Sequence, residues 1–296
     1  MDHIGEIKTI LKHALNIDES EILHIHKLGG WTNNNYKIVL HDDELALRIP
    51  RENSKGFISR KNEKINSKIT EKLGLNCENI YFNENSGVKI TKFIKDGKTF
   101  NIKSIKEEGN IKLVAKALNT LHISGFKFNN TFNPVLELEN YERILRSLNG
   151  EFFKDYGDIK TVFLKLKNIL DGMKIKYVPC HMDPVAENFI KSGERLYLID
   201  WEYSANYDAI WDVVSIIMEC GFSKHEEDLL LKSYFKGNIT KDEHLRIKIH
   251  SVMQDILWAM WGLVKEKSGE KEMLNYSKER YDNAKLNINK FFNFSR

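Results

Sequence analysis

One short acidic segment, from His181 to Asp200, carries the residue types that phosphoryl transfer needs. The stretch HMDPVAEN places His181, Asp183 and Asn188 in one predicted loop, and Asp200 ends the apolar run LYLID that follows. Phosphoryl transfer requires a carboxylate near the acceptor hydroxyl, oxygen ligands for Mg²⁺ and positive charge at the phosphates. We therefore predict Asp183 as the base, Asn188 and Asp200 as Mg²⁺ ligands, and His181 as a hydrogen-bonding support of the loop.

The order and the spacing of these residues carry more information than any one of them. A lone H-x-D is common in loops, where it marks only polar residues and an exposed acid. The order H-x-D-x-x-x-x-N, followed after a short hairpin by two apolar residues and an aspartate, is typical of kinase sites. The whole pattern therefore favours a kinase over a polar loop.

The elements that must position this segment change in character along the chain. The first third reads as short strands, among them NNYKIVL and ELALRI, and one helix over residues 58–73. The pattern after about Asp96 is mostly helical, with predicted helices over residues 102–122, 244–267 and 271–291 among others. We therefore expect an α+β fold with two lobes, a small β-rich lobe of residues 1–94 and a larger helical lobe of residues 95–296. A nucleotide is expected in the cleft between such lobes.

A resemblance to a known family rests on the same segment. CHMDPVAENF and RLYLIDWEYSANYDAIWD closely resemble the bacterial choline kinases of the LicA type, within the choline/ethanolamine kinase family and the wider aminoglycoside phosphotransferase superfamily. The resemblance covers residues 28–281. It implies the protein-kinase-like fold, ATP and Mg²⁺ as cofactors, and choline as the small-molecule substrate. It also implies that two further acids, Glu202 and Glu219, lie near the metal or the acceptor.

The stretch KLGGWTNNNYKIVL resembles the phosphate-covering turn of that family. Two adjacent glycines alone predict only a hairpin turn, but glycines also let backbone N–H groups approach phosphate oxygens. The resemblance implies that Gly30, Thr32 and Asn33 are phosphate contacts.

A basic strand residue and a following helix complete the expected nucleotide site. Arg48 lies in the predicted strand ELALRI, where it is either an exposed arginine or, as the family resemblance implies, a phosphate contact. Glu63, in the next predicted helix, is the expected ion-pair partner of Arg48. The stretch Thr91 to Ile94 is the expected hinge, where backbone groups at Lys92 and Ile94 would bind adenine.

The late helix QDILWAMWGLVKEK carries the clue to the acceptor. Trp258 and Trp261 share one face of a helix, and two such tryptophans often form only part of a core. Ring faces also attract a quaternary ammonium, and the resemblance implies a choline site of these two tryptophans and Tyr276. Asp255 and Glu219 are expected to add negative charge near that cation.

Composition excludes several other classes of function. The net charge of +3 is too near balance for a nucleic-acid-binding face, so no nucleic-acid partner is expected. No run of about 18 apolar residues occurs, so no membrane span is expected. The three cysteines are widely spaced and predict no disulfide framework, which favours a cytoplasmic setting.

Three hypotheses remain open from the sequence. The first is a choline kinase, the second a kinase of ethanolamine, thiamine or an aminoglycoside, and the third a non-catalytic kinase-like binding protein. The third requires broken chemistry, and Asp183, Asn188, Asp200 and Arg48 are all present. The aromatic residues favour choline over a primary ammonium. The Lys-rich C-terminal part disfavours a polycationic aminoglycoside.

Overall fold

The computed structural model describes residues 3–30, 33–51 and 58–293, in which helices and strands both occur. The chain forms two compact units that are not successive stretches of sequence. The first unit combines Met1–Asn129 with Ala186–Ser204, and the second combines Asn130–Val185 with Ala205–Arg296. The lobe boundary expected at residue 94 stays a prediction.

The first unit contains an antiparallel sheet that follows the helix α1 (Ile4–Leu15). The strands of this sheet are β1 (Ile22–Lys27), β2 (Asn33–Leu40), β3 (Glu44–Pro50), β4 (Asn79–Phe82) and β5 (Lys89–Lys92). Their order is β1–β2–β3–β5–β4, so β3 lies in the middle of the sheet. A central strand is held on both edges, which makes it a rigid support for a functional side chain.

The alternating direction of the side chains along β3 determines which of its residues face the core. Leu45 and Leu47 are buried in one cluster with Ile7 and Leu11 of α1. Successive side chains of a strand point to opposite faces, so Arg48 lies on the other face of β3. The register pairs Arg48 with Lys89 of β5, which brings two basic residues side by side.

The helix α2 (Arg60–Lys72) is capped by Ser59, whose side chain accepts a hydrogen bond from the Asn62 N–H at 3.4 Å. Its buried residues are all polar, namely Glu63, Asn66, Ser67 and Thr70. Buried polar groups need hydrogen-bond partners, and Asn66 Nδ2 donates to the Ser204 carbonyl at 3.0 Å. Polar contacts therefore fix the position of α2 within the first unit.

The helix expected to start at Ile102 begins later, as α3 (Glu108–His122). The Asn101 side chain accepts the Ser104 N–H at 3.0 Å and holds a local turn instead of a helical start. Glu107 is extended, with ψ of 134°, so it interrupts the helical backbone just before α3. The prediction of a continuous helix was wrong because a side-chain turn competes with helix formation here.

A second, three-stranded sheet of the first unit has the order β6–β8–β9. Its strands are β6 (Lys98–Thr99), β8 (Phe189–Ser192) and β9 (Arg195–Leu198). The 3₁₀ turn Ala186–Asn188 leads into β8, and β9 leads directly to Asp200. This hairpin therefore supports Asn188 and Asp200 from its two ends.

The second unit is mostly helical. Its elements are α4 (Pro134–Ser147), α5 (Tyr156–Gly172), β7 (Val178–Cys180), β10 (Ala205–Tyr207), α6 (Ile210–Glu219), α7 (Lys224–Phe235), α8 (Lys241–Lys267) and α9 (Met273–Asn293). Capping boxes at Ser223 and Thr240 start α7 and α8. Across the residues described, no helix is both long enough and apolar enough to span a bilayer.

The long helices α8 and α9 pack closely at one glycine. A Cβ atom on Gly262 would lie 2.8 Å from the Ser277 Cβ atom, so only glycine fits this crossing. The Ser277 hydroxyl donates to the Ala259 carbonyl at 2.6 Å and joins the two helices at the same level. These contacts set the spacing of the aromatic residues that both helices carry.

Candidate active site

A buried ion pair joins β3 to α2 in the first unit. Arg48 donates from Nη1 to Glu63 Oε1 at 2.5 Å and from Nη2 to Glu63 Oε2 at 2.9 Å. Glu63 is 1% exposed. Burial alone would raise the pKa of Glu63, but the Arg48 guanidinium holds that pKa at about 2. The ion pair expected from the sequence is thus present, with the guanidinium clamped at two points.

Two further cations, which the sequence analysis missed, share the Glu63 carboxylate. Arg60 Nη1 lies 2.8 Å from Glu63 Oε2 and 2.9 Å from Glu202 Oε2. Lys89 Nζ lies 3.7 Å from Glu63 Oε1. The spacing of Arg60 and Glu63 by three residues on one helix was the available signal for the first contact. The contact of Lys89 with Glu63 depends on the register between strands, which the sequence does not show.

Two acids at the end of β9 lie beside these cations. Asp200 has a left-handed backbone, with φ of 63°, and its Oδ1 lies 3.5 Å from Arg48 Nη1. Burial raises the pKa of Asp200, and Arg48 partly opposes this. Burial also raises the pKa of Glu202, and repulsion from Asp200 adds to the effect. Two hard oxygen donors under mutual repulsion fit a divalent cation such as Mg²⁺.

The glycine turn before β2 is shaped by the backbone of Gly30. Gly30 has φ of 152°, and a Cβ atom there would lie 2.7 Å from the Asn33 carbonyl oxygen. Asn35 Nδ2 donates to the Gly29 carbonyl at 2.9 Å and closes the turn. Asn33 is buried, and its Nδ2 donates to Glu202 Oε2 at 3.4 Å. Thr32, the third expected phosphate contact, lies outside the described residues.

The expected hinge, Thr91 to Ile94, overlaps the end of β5. The Lys92 N–H donates to the Glu78 carbonyl at 3.0 Å, and the Lys92 side chain pairs with Asp43. The Ile94 carbonyl accepts the Gly97 N–H at 3.2 Å in a turn. Lys92 therefore has structural partners on both its backbone and its side chain, and adenine binding at Lys92 and Ile94 stays a prediction.

The loop with His181 and Asp183 belongs to the second unit, where α6 holds its backbone. The Asp212 carboxylate accepts the N–H groups of His181 at 2.7 Å and Met182 at 2.8 Å. Met182 adopts φ of 73°, and Trp211 Nε1 donates to its carbonyl at 3.1 Å. The Asp183 N–H lies 3.3 Å from His181 Nδ1, and the role of His181 stays a prediction.

Asn188 lies in the first unit, together with Asp200. The Asn188 carbonyl accepts the Ile199 N–H at 2.9 Å, which ties the 3₁₀ turn to the residue that precedes Asp200. Both expected Mg²⁺ ligands are therefore carried by one hairpin. Their assignment to a metal stays a prediction.

Three aromatic rings lie together where α8 meets α9 in the second unit. The Trp258 and Trp261 ring centres are 5.7 Å apart at 87°, and those of Trp261 and Tyr276 are 6.2 Å apart at 79°. All three side chains are partly exposed. Burial raises the pKa of Tyr276, and the negative charges of Glu219 and Asp183 add to that effect. The predicted base is thus within electrostatic range of Tyr276. We call the three rings the aromatic box.

Arg280, which the sequence analysis did not select, lies against the aromatic box. Its Cζ is 5.3 Å from the Tyr276 ring centre. It pairs with Glu219 through Nη2 and with Asp255 Oδ1 through Nη1 at 3.2 Å. The two acids expected to face the acceptor are therefore countered by an internal cation. Arg280 follows Tyr276 by one helical turn on α9, a spacing that was visible in the sequence.

A second tyrosine of α9, Tyr281, has a different environment. The Tyr281 ring stacks on Phe153 with centres 3.8 Å apart, and its hydroxyl donates to Asp155 Oδ1 at 2.9 Å. Its contacts brace α9 against the start of α5. Of the two tyrosines, Tyr276 is the one that joins the tryptophans.

Comparison with known proteins gives the chain its family. The protein-family model described as choline/ethanolamine kinase matches residues 25–244 of this chain. The chain belongs to the choline/ethanolamine kinase family. It is therefore an ATP-dependent phosphotransferase with the expected α+β, protein-kinase-like fold.

Individual relatives agree with this membership. Protein LicA of Haemophilus influenzae is 32% identical over 95% of this chain and 85% of its own length. The crystal structure of choline kinase LicA from Streptococcus pneumoniae has a TM-score of 0.83 and 29% identity, covering 98% of this chain and 100% of that one. A structure of LicA in complex with AMP has a TM-score of 0.83 and 28% identity, with the same coverage.

Proposed function

We propose that this kinase transfers the γ-phosphate of ATP to the hydroxyl of choline, giving phosphocholine and ADP. The observation that carries this proposal is the aromatic box of Trp258, Trp261 and Tyr276, with Asp183 within electrostatic range of Tyr276. A quaternary ammonium has no N–H group to satisfy and is attracted to ring faces by about 0.5–2 kcal/mol for each ring. The similar structure named choline kinase LicA supports the same substrate.

The acceptor hydroxyl would be activated by Asp183. In this proposal the Asp183 carboxylate orients the hydroxyl and takes its proton as the oxygen attacks the γ-phosphorus. His181 and Asp212 hold the backbone of that loop through the hydrogen bonds described above. A loop held in this way keeps the base in one position, which is the main contribution a protein makes to phosphoryl transfer.

The nucleotide would be bound by the first unit. We assign Arg48, held by Glu63, to the phosphates. The glycine turn with Gly30 and Asn33, together with Thr32, would cover them, and backbone groups at Lys92 and Ile94 would bind adenine.

Asn188 and Asp200 would hold Mg²⁺, with Glu202 beside them. When bound, Mg²⁺ would neutralise the charge that develops on the phosphates. The repulsion from Asp200, which adds to the burial that raises the pKa of Glu202, supports a cation at this position. Since the reaction consumes ATP, we also propose that it takes place in the cytoplasm.

A coupled ADP-release assay tests the proposal. Choline, ethanolamine, thiamine and kanamycin are compared at millimolar concentration, with and without Mg²⁺. We expect turnover with choline to exceed that with the other three, to require Mg²⁺ and to be lost in Asp183→Ala. No choline turnover would refute the proposal. A higher kcat/KM for another acceptor would identify that acceptor, and not choline, as the substrate.

Nucleotide binding is measured separately, because a non-catalytic kinase-like protein is the remaining alternative. We expect ATP with Mg²⁺ to raise the melting temperature of the protein, since a ligand that binds only the folded state stabilises it. A melting temperature that ATP and Mg²⁺ leave unchanged, together with no ADP release, would favour the alternative.

A further inference from the structure

Arg280 occupies a position between the aromatic box and two acids. It is 7% exposed, and its guanidinium lies near the ring of Tyr276 while pairing with Glu219 and Asp255. One side chain thus contacts a ring of the expected acceptor site and both acids that were expected to attract the acceptor's cation.

The ion pairs with Arg280 reduce the number of carboxylate oxygens that Glu219 and Asp255 can present to a ligand. Asp255 is 1% exposed, and its second oxygen, Oδ2, accepts a hydrogen bond from Asn287 at 3.2 Å. The Glu219 side chain is 13% exposed, and its Oε1 is taken by Arg280. Because a guanidinium donates several N–H groups in a fixed plane, it can hold both carboxylates at once.

The two classes of ammonium make different demands on such a site. A primary ammonium has three N–H donors, and leaving them without acceptors in a buried site is unfavourable. A quaternary ammonium has no N–H donor and interacts with ring faces through its charge alone. A site with free carboxylates therefore favours the primary ammonium, and a site with free ring faces favours the quaternary one.

We infer that Arg280 is a specificity-determining residue, which holds Glu219 and Asp255 away from the acceptor and so favours a quaternary over a primary ammonium at the aromatic box. The inference rests on the proposed function, since it concerns the acceptor of the same reaction. Arg280 acts here through other side chains and is a positioning residue, not a catalytic one.

The central test is Arg280→Gln, measured as kcat/KM for choline and for ethanolamine. Glutamine can hold one acid but not both, so one carboxylate becomes available to a primary ammonium. We expect the choline-to-ethanolamine ratio to fall about tenfold, mainly through a lower KM for ethanolamine, while the KM for ATP stays within about twofold. An unchanged ratio would overturn the inference.

A double variant separates the freed acid from general damage. In Arg280→Gln with Glu219→Gln, the more exposed of the two acids is removed, so ethanolamine should lose most of its gain. If the ratio stays as low as in the single variant, the freed Glu219 carboxylate is not the cause and the inference fails.

Lys265→Met is the matched control. Lys265 also lies near a ring of the box, with Nζ 5.5 Å from the Trp261 centre, but it pairs with Glu270 instead. Its removal should change both acceptors alike and leave the ratio within about twofold of wild type. A ratio that falls as far as in Arg280→Gln would show that any cation near the rings has this effect, against a special role for Arg280.

If Arg280→Gln does not unfold cooperatively, the choline-to-ethanolamine ratio is measured in Arg280→Lys instead. Lysine keeps the charge but lacks the planar fork, so it holds the two carboxylates less well. We expect the ratio to fall about threefold, and no change would overturn the inference. Wild-type protein without choline turnover would contradict the proposed function, whereas turnover with unaltered ratios would contradict this inference alone.

Discussion

The Asp212 carboxylate holds the backbone of His181, whose N–H it accepts at 2.7 Å, and its other oxygen accepts the next N–H along the chain. Asp212 is fully buried, so both bonds form away from water. A carboxylate suits this position because each oxygen accepts one donor. The loop of the predicted base is thereby tied to the first turn of α6.

We expect Asp212→Asn to lower kcat about 100-fold, since the new amide NH₂ group faces a backbone donor and shifts the loop. Loss of the charged hydrogen bond should also reduce the free energy of unfolding by about 1.5–3 kcal/mol. Steady-state kinetics and thermal unfolding measure the two effects. Asp228→Asn, the same change at an exposed residue of α7, is the control. Equal kcat values in both variants would contradict the prediction.

Arg48→Lys should raise the KM for ATP about tenfold, because lysine cannot reproduce the two-point contact with Glu63 that positions the charge. Arg48→Met should in addition destabilise the protein by about 3 kcal/mol, since it leaves Glu63 short of its main partner. Kinetics at varied ATP and urea unfolding provide the measurements.

Arg143→Lys is the matched control for Arg48, because Arg143 is exposed on α4 and bonds only to the nearby Asn140 in the contacts described. It should leave the KM for ATP and the stability unchanged. The prediction is wrong if Arg48→Lys binds ATP as well as this control does.

Trp261 gives a way to separate ring-face attraction from hydrogen bonding. Its buried Nε1 has no hydrogen-bond partner among the described residues, so phenylalanine removes no hydrogen bond within this part of the chain. We expect Trp261→Phe to keep the KM for choline within about threefold, and Trp261→Leu to raise it about tenfold with the KM for ATP unchanged. Phenylalanine and leucine variants with the same KM would exclude a role of the ring face.

Gly262→Ala should push α9 away from α8, because the new methyl group meets Ser277 at 2.8 Å. Tyr276 precedes Ser277 and should move with it, so the KM for choline should rise and the protein should lose about 1–3 kcal/mol of stability. Gly157→Ala on α5 is the matched control, since nothing lies within 4 Å of its added Cβ atom. That control should be neutral or slightly stabilising. Two variants with the same stability would refute the prediction.

Asp208 should make the stability of the second unit depend on pH. Burial would raise the pKa of Asp208, but His250 and Arg246 hold that pKa well below its usual range. A carboxyl group with a lowered folded-state pKa stabilises the protein above its unfolded pKa of about 3.9, and this contribution is lost as the pH falls further. The free energy of unfolding should therefore decrease below about pH 4.

Asp208→Asn removes that titration. It should be less stable than wild type at pH 7 and lose less stability between pH 4 and about pH 2.5. Urea unfolding at several pH values measures both slopes, with Asp228→Asn as the control that keeps the wild-type slope. Parallel curves for wild type and Asp208→Asn would contradict the assignment to Asp208.

Much of the fold was predictable because local patterns encode it. The strands β2 and β3, the helix α2 and the late helices begin and end within a few residues of the expected positions. The exception near Ile102 arises from Asn101, whose side chain bonds to the backbone and replaces the first helical turn by a local one. Periodicity of apolar residues does not report such competition.

The sequence by itself determined the class of reaction, since the order and spacing of Asp183, Asn188 and Asp200 can be read directly along the chain. It also indicated the Arg48–Glu63 ion pair, since a basic strand residue and a glutamate of the following helix form a known pair in kinase sites. Only the tertiary structure decided which side chains surround these groups. Arg60 meets Glu202 across 142 positions of sequence, and Arg280 meets Glu219 across 61. Contacts of that kind depend on how strands pair and helices pack, and no periodic pattern along the chain records them.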